Sequence, residues 1–254
     1  MSGETRKLQQ VGGGTYTVSI PKEWAIEQSL SAGDTVFLYP DGDGSIVVCR
    51  DDSETGPTTA AVTLPPHGHT ALDRVLSAAY AAGIERLRLT TPDGFDADRR
   101  RTLQRMVRER TGMQVTESSA AAVEITTLLD DDQVAVEQTV VQLQFVSLSL
   151  FRTAVDAALA SNAPAAERIE DRRAEAARLA LLVTRQFNRS LSEPTTAAAI
   201  GIDRRTAFAC YRTAAALERV ADHATAIARL DLTEPTPTVE DARSAADATR
   251  RYLE

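Results

Sequence analysis

Leu217-Glu218-Arg219-Val220-Ala221-Asp222-His223-Ala224 holds two carboxylates four residues apart, a spacing that puts both on one face of a helix. Upstream, Asp171-Arg172-Arg173-Ala174-Glu175 repeats the spacing with the two acids in reverse order. On neighbouring antiparallel helices, Asp171, Glu175, Glu218 and Asp222 would bring four hard oxygen donors together. Such a set suits Mg, Mn or Fe better than Zn.

The residues around the acids qualify that expectation. On a helical wheel Glu218 and Asp222 fall with Ala207, Tyr211, Ala214 and Thr225, opposite an apolar stripe of Leu217, Val220, Ala224 and Ile227. Asp171 and Glu175 likewise point away from a stripe of Ile169, Ala176, Ala180, Val183 and Phe187. All four acids therefore read as surface residues. They are either a cation cluster or solvated charges paired locally with Arg172, Arg178 and Arg219. His223, beside Asp222, reads as a ligand, a base or an ordinary surface histidine.

A longer run of residues carries a resemblance. Ile169-Glu170-Asp171 through Glu175, Glu193-Pro194-Thr195, Asp203-Arg204-Arg205 and Leu217-Glu218-Arg219-Val220-Ala221-Asp222 follow the order and spacing of the PhoU family of phosphate-uptake regulators, which this part of the chain resembles. The resemblance implies a three-helix bundle with acidic motifs on its surface. It also implies a divalent metal or an iron cluster (Mg, Mn, Fe or Zn) held by Asp171, Glu175, Glu218 and Asp222. The first motif ends in Glu175 where the family has Asp, so ligation there would use a longer arm.

Composition sets the outer bounds. A chain of 254 residues, 43% of them hydrophobic, can bury the cores of two or three domains. No apolar run approaches the roughly 18–20 residues of a membrane span, and the polar start Met1-Ser2-Gly3-Glu4-Thr5-Arg6-Lys7 lacks the features of a signal peptide. These features predict a cytoplasmic protein without membrane insertion. The formal net charge is −8, yet Lys7 and Lys22 are the only lysines among 28 basic residues. An acidic, arginine-rich, lysine-poor surface suits a salt-rich cytosol, and GC-rich codon usage would give the same composition. Two cysteines, Cys49 and Cys210, make neither a disulfide framework nor a zinc site. His67 and His69 form a His-x-His in a Pro/Gly-rich loop, read as loop rather than metal site.

From the N-terminus, residues 6–11 and 15–20 read as strands around Gly12-Gly13-Gly14, and Pro21 opens a short helix carrying Trp24, Ile26 and Leu30. Strands at 35–39 and 45–49 flank the turn Asp41-Gly42-Asp43-Gly44. Thr17-Val18-Ser19-Ile20-Pro21-Lys22 and Leu30-Ser31-Ala32-Gly33-Asp34-Thr35-Val36 give this segment a resemblance to the AbrB/SpoVT-like family of small DNA-binding domains. That family interleaves two chains into a swapped-hairpin β-barrel, so a homodimer is implied. Arg6, Lys7 and Lys22 would meet phosphates, while Gln9, Gln10, Thr15 and Thr17 would meet base edges. Alternatively the segment only dimerises.

An acidic linker, residues 51–57, leads to a βαβαββ pattern: strands at 58–64, 86–90, 113–118 and 121–126, with helices at 70–82 and 96–111. The second helix carries Arg99-Arg100-Arg101, Arg105, Arg108 and Arg110. With only Phe95 near for stacking, they read as a solvated helix face on a spacer or dimer-contact unit. From Asp132 the chain reads as helix. Val134, Val141, Leu148 and Val155 recur every seven residues as a bundle seam, and Ser161-Asn162-Ala163-Pro164 ends that helix. A second helix follows over 164–191, Glu193-Pro194 turns, and Asp203 caps a third that runs to about residue 230. Pro235 and Pro237 mark a linker before another amphipathic helix, 239–253. Since the PhoU resemblance implies a second bundle repeat, that helix reads as the end of a shortened relative or the start of a further repeat.

The expected architecture is thus multi-domain: an AbrB-like head (1–50), a small α/β domain (57–128) and an all-α PhoU-like bundle (130–254). No nucleotide loop, no Ser/His/Asp set and no Gly-rich phosphate cradle is present, so the reading is regulatory rather than enzymatic. The expected role is transcriptional regulation of phosphate uptake. The expected partners are DNA, a second copy of the chain, and a phosphate ABC-transporter ATPase or a signalling protein. The alternative is an adaptor that dimerises through its head, binds no DNA and modulates a phosphate transporter.

Overall fold

The computed structural model describes residues 4–40, 44–50, 57–65, 69–129, 134–160 and 165–229, together with positions 241, 244 and 248. Residues 41–43 of the expected hairpin turn, linker residues 51–56, His67, Pro235, Pro237 and most of the expected helix 239–253 lie outside the described residues.

The head is built from two antiparallel ribbons and a short helix. β1 (Gln9–Val11) pairs with β2 (Thr15–Thr17), α1 (Lys22–Glu27) follows Pro21, and β3 (Phe37–Pro40) pairs with β4 (Ile46–Cys49). The first two strands are shorter than the alternation at 6–11 and 15–20 suggests. Ladder hydrogen bonds need a neighbouring strand, and each ribbon here has only its own two. The ribbons do not join into a closed barrel among the described residues. No described residue of the head is buried.

The next unit has a continuous core. Its order is β5 (Thr59–Thr63), α2 (His69–Ala81), β6 (Arg86–Thr90), α3 (Ala97–Arg108), β7 (Met113–Ser118) and β8 (Ala122–Thr127). The sheet runs β5-β6-β8-β7, with β5 and β6 parallel and the other pairs antiparallel. Period-2 alternation sends Leu87, Leu89, Val123 and Ile125 inward, where Leu72, Leu76 and Tyr80 of α2 and Leu103 and Val107 of α3 cover them. Asp96 caps α3 by accepting a hydrogen bond from the Arg99 amide at 2.7 Å.

Two arginines of this stretch, Arg99 in α3 and Arg110 just past its end, depart from the solvated-face reading. Arg110 is buried, donating to Asp73 Oδ1 at 2.6 Å and to the Ser77 hydroxyl at 2.7 Å. Arg99 reaches the Pro65 carbonyl at 2.8 Å and lies over the Phe95 ring at 5.3 Å. Arg101 pairs with Asp98, while Arg105 and Arg108 stay exposed. A run of one residue type on one helix thus splits between structural and solvated roles. The split follows what each turn of the helix faces.

Three long helices pack pairwise: α4 (Val136–Ala160), α5 (Ala165–Ser192) and α7 (Arg204–Ile227). The core seam of α4 is Val136, Leu143, Leu150 and Ala157, joined by Val146 and Ala154. This corrects the expected seam of Val134, Val141, Leu148 and Val155. Val141 is 63% exposed, and of the four only Val155 is buried. Both series repeat every seven residues and are offset by two positions, about 200° around the helix. Periodicity alone does not choose between them; the partner helices do.

A second correction concerns α7. Its buried residues are Ala207, Ala214, Ala221, Ala224 and Thr225. Ala224 belongs to the expected apolar stripe, but Ala207, Ala214 and Thr225 lie on the side expected to be solvent-facing, so the seam runs through alanines rather than through Leu217 and Val220. Leu217 packs only partly against the core. Alanine contributes little to an apolar pattern but lets helices approach closely, and the seam follows the close contact. Between α5 and α7 the expected turn at Glu193-Pro194 is instead a separate short helix, α6 (Pro194–Ile200), with Pro in its first turn and Gly201 at φ 71° ending it. Asp203 then caps α7, accepting from the amides of Arg205 at 2.8 Å and Thr206 at 3.0 Å.

Candidate functional site

The surface groove between α5 and α7 carries the acids around which the sequence reading turned. Arg173 of α5 crosses to α7, where its Nε donates to Asp222 Oδ1 at 2.9 Å and its terminal nitrogen lies at the same 2.9 Å. Further along the groove, Arg229 bonds Glu170 Oε1 at 2.7 Å. Glu218 sits one turn before Asp222, half-buried at the edge of the alanine seam. Its carboxyl is pushed above the ordinary range, chiefly by burial and then by the neighbouring Asp222, while Arg173 pulls the other way.

Asp171 and Glu175 are not part of this groove. Each is two positions from Arg173, hence about 200° around α5, and Arg173 is the residue that faces α7. The structure therefore brings Glu218 and Asp222 together on α7 and directs Asp171 and Glu175 away from them. Among the described residues, no three His, Cys, Asp or Glu side chains form a group able to hold a metal ion. A resident metal of the kind implied by the PhoU resemblance does not fit this donor set. Oxygen ligands to a hard cation must converge, and the charge facing Asp222 is already a guanidinium. His223 is exposed on the solvent side of α7.

In the head, Arg6, Lys7, Gln9, Thr15, Thr17 and Lys22 are all exposed. Gln9 and Thr17 are directly opposite across the β1–β2 ladder, and the Thr17 hydroxyl donates to the Gln9 carbonyl at 3.3 Å. Because side chains alternate, Gln9, Thr15 and Thr17 share one face of the ribbon, while Gln10 lies with Tyr16 on the other. Arg6 is paired with Glu4, and Lys22 opens α1.

A third constellation went unread in the sequence. Arg185, Asn188 and Arg189 project from α5 on the side away from its core stripe and dock on the C-terminal end of α2. Arg185, 1% exposed, donates to the carbonyls of Tyr80 at 3.0 Å and Ile84 at 3.1 Å and lies over the Tyr80 ring at 5.0 Å. Asn188 donates to the Ala81 carbonyl at 2.7 Å. Tyr80 and Ala81 close α2 and Ile84 follows it, the Tyr80 carbonyl also accepting from the Gly83 amide at 3.0 Å, and a guanidinium there meets the negative end of the helix dipole. Arg189 bridges Glu85 at 2.6 Å and Glu193 at 2.9 Å. Gly83, at φ 84°, lets the chain pass; a Cβ there would come within 2.7 Å of the Arg189 side chain. The signal in the sequence is three polar residues at i, i+3 and i+4 opposite an apolar stripe. This joint fixes the bundle to the α/β unit.

Against known proteins, residues 9–56 match the family model described as antidote-toxin recognition MazE, bacterial antitoxin, and residues 140–230 match that of the PhoU domain. No curated protein and no solved structure matches the chain. The chain thus joins a MazE/AbrB-like domain at its N-terminus to a PhoU domain, the pairing that the sequence motifs suggested. Both are regulatory rather than catalytic families. No helix of the described residues is long and apolar enough to cross a membrane.

Proposed function

We propose that this chain, with a MazE/AbrB-like head at 9–56 and a PhoU domain at 140–230, is a phosphate-related regulator that binds DNA as a homodimer through its head and senses or docks through its bundle. The observation that carries this reading is the presence of both domains on one chain. The head supports the homodimer: Val11, Tyr16, Ile26, Leu38 and Ile46 are all exposed, and no described head residue is buried. So small a set of ribbons gains an interior only from a partner, and interleaving a second copy into a closed barrel provides one. Gln9, Thr15 and Thr17 on one ribbon face then meet base edges, flanked by Lys7 and Lys22 at phosphates. The bundle meets a transporter ATPase or a signalling protein.

The adaptor reading, in which the head only dimerises, is favoured by one observation. Arg6 is paired with Glu4, which leaves the head's cationic patch thin on a chain of net charge −8. Titrating the full chain onto labelled duplex DNA at stepped salt separates the two. The DNA-binding reading expects saturable binding whose salt slope falls by about one for each phosphate contact removed, as in Lys22→Ala. No binding at low salt supports the adaptor. Binding indifferent to Lys22→Ala and Arg6→Ala together would show that the contacts lie elsewhere.

A further inference from the structure

We propose that the Arg173 guanidinium takes the place of a metal ion at the Glu218/Asp222 face, so that the α5–α7 groove is neutralised from within and carries no divalent-cation site. The inference rests on the groove's own residues and is independent of what the head binds.

Three features point to it. Asp222 is engaged across the helix–helix groove by two nitrogens of Arg173, both 2.9 Å from the same carboxylate oxygen, so the positive charge facing this carboxylate is already in place. The groove's next cross-helix carboxylate, Glu170, is likewise held by a guanidinium, that of Arg229 at 2.7 Å. Two of the three groove carboxylates are therefore already matched by fixed positive charge, leaving Glu218 alone. The acids that would have to complete a cluster, Asp171 and Glu175, stand about 200° around α5 from Arg173 and cannot join without rotating the helix out of its core. The motif's carboxylates are kept, and the cation that balances them is supplied by the chain.

The arrangement also has a structural consequence. A metal would tie α5 to α7 only when bound, and would make the groove responsive to metal supply. A guanidinium tie needs no ion supplied from outside. On this account, any signal reaching the bundle arrives by docking and not by occupancy of this groove.

The test is calorimetric titration of the full chain with Mn²⁺, together with melting curves taken with Mn²⁺ and with chelator. Wild type is expected to show no saturable binding below about millimolar and a melting temperature unchanged between the two conditions. Arg173→Glu removes the internal cation and puts a third carboxylate on the face toward α7. It is expected to gain at least a tenfold increase in Mn²⁺ affinity and a melting temperature that rises with Mn²⁺, and Asp222→Asn added to it is expected to abolish both gains. Saturable micromolar binding by wild type that Asp222→Asn removes would overturn the proposal. So would a folded Arg173→Glu variant, its helical circular dichroism intact, that gains no response to Mn²⁺. Should that variant fail to fold, the wild-type and Asp222→Asn titrations still decide.

Discussion

Replacing Arg185 with methionine should loosen the joint between the bundle and the α/β unit by an amount the geometry allows to be worked out. Methionine keeps most of the side-chain length and apolar contact but removes a charged donor from two carbonyls, the buried one of Tyr80 and the part-buried one of Ile84. Each carbonyl keeps a second donor, the Gly83 amide on Tyr80 and the Thr127 hydroxyl on Ile84, so the cost is that of losing hydrogen bonds from a charged donor, about 1.5–3 kcal/mol. Losing the guanidinium over the Tyr80 ring adds about 1–2 kcal/mol in a desolvated setting. Removing a buried charge returns part of its desolvation cost, so the net loss is about 2–4 kcal/mol. The loss falls on the C-terminal turn of α2, where the amides of Ala82, Gly83 and Ile84 donate to Ala78, Tyr80 and Ala79. Native-state hydrogen exchange reads local opening there, and at about 1.4 kcal/mol per decade the expected fall in protection is about 30- to 1000-fold. Amides of β7, on the far edge of the sheet, serve as the internal reference and should change little. A fall of under about fivefold at Ala82 to Ile84 would refute the claim that Arg185 holds this joint.

Three further outcomes follow from the electrostatics and the caps. Burial pushes the Tyr80 hydroxyl up to about 12, with Arg185, the hydrogen bond to Thr111 and Arg110 pulling the other way. Because the folded value is raised, Tyr80 contributes stability that is full below the ordinary tyrosine value near 10 and is lost as pH rises toward 12. Ultraviolet titration should therefore show one tyrosine ionising late, together with unfolding. Glu218, raised by burial first and by Asp222 second, favours the folded state most when protonated. Glu218→Gln should hold or slightly raise the melting temperature at pH 7, by at most about 0.5 kcal/mol, with the difference vanishing below about pH 4. The Asp203 carboxyl is held below its ordinary range by the Thr206 hydroxyl first, then by the Thr206 amide. Its contribution is present above the ordinary carboxylate value and is lost as pH falls through its lowered one, so Asp203→Ala should lower the melting temperature at pH 7 and lose its effect in strong acid.

The sequence made the elements legible but not the faces. Strands 86–90 and 113–118, the cap at Asp203 and the βαβαββ order come from local signals, namely alternation, turn glycines and capping side chains, and the structure carries them. The seams do not come from local signals. On α4 two heptad series compete, and the one containing Val141 loses because α5 and α7 pack on the other. On α7 the seam is alanine, which an apolar pattern passes over in favour of Leu217 and Ile227. The acidic site shows the same limit. An i, i+4 spacing fixes that Glu218 and Asp222 share a face of their own helix, but which face of α5 turns toward them is a tertiary fact, and Arg173 occupies it. The Arg185–Asn188–Arg189 joint shows in the sequence only as three polar residues opposite an apolar stripe, with nothing to say what they meet. The partners of Arg185 and Asn188 are backbone carbonyls, which every residue has and no motif marks.

Crosslinked chromatin recovered with the intact protein tests the central claim most directly. The account predicts enrichment of DNA upstream of phosphate-transport genes, reduced when Lys22 and Arg6 are replaced by alanine. Recovery of no DNA above background, from cells in which the protein is captured together with a transporter ATPase, would contradict it and leave the adaptor in its place.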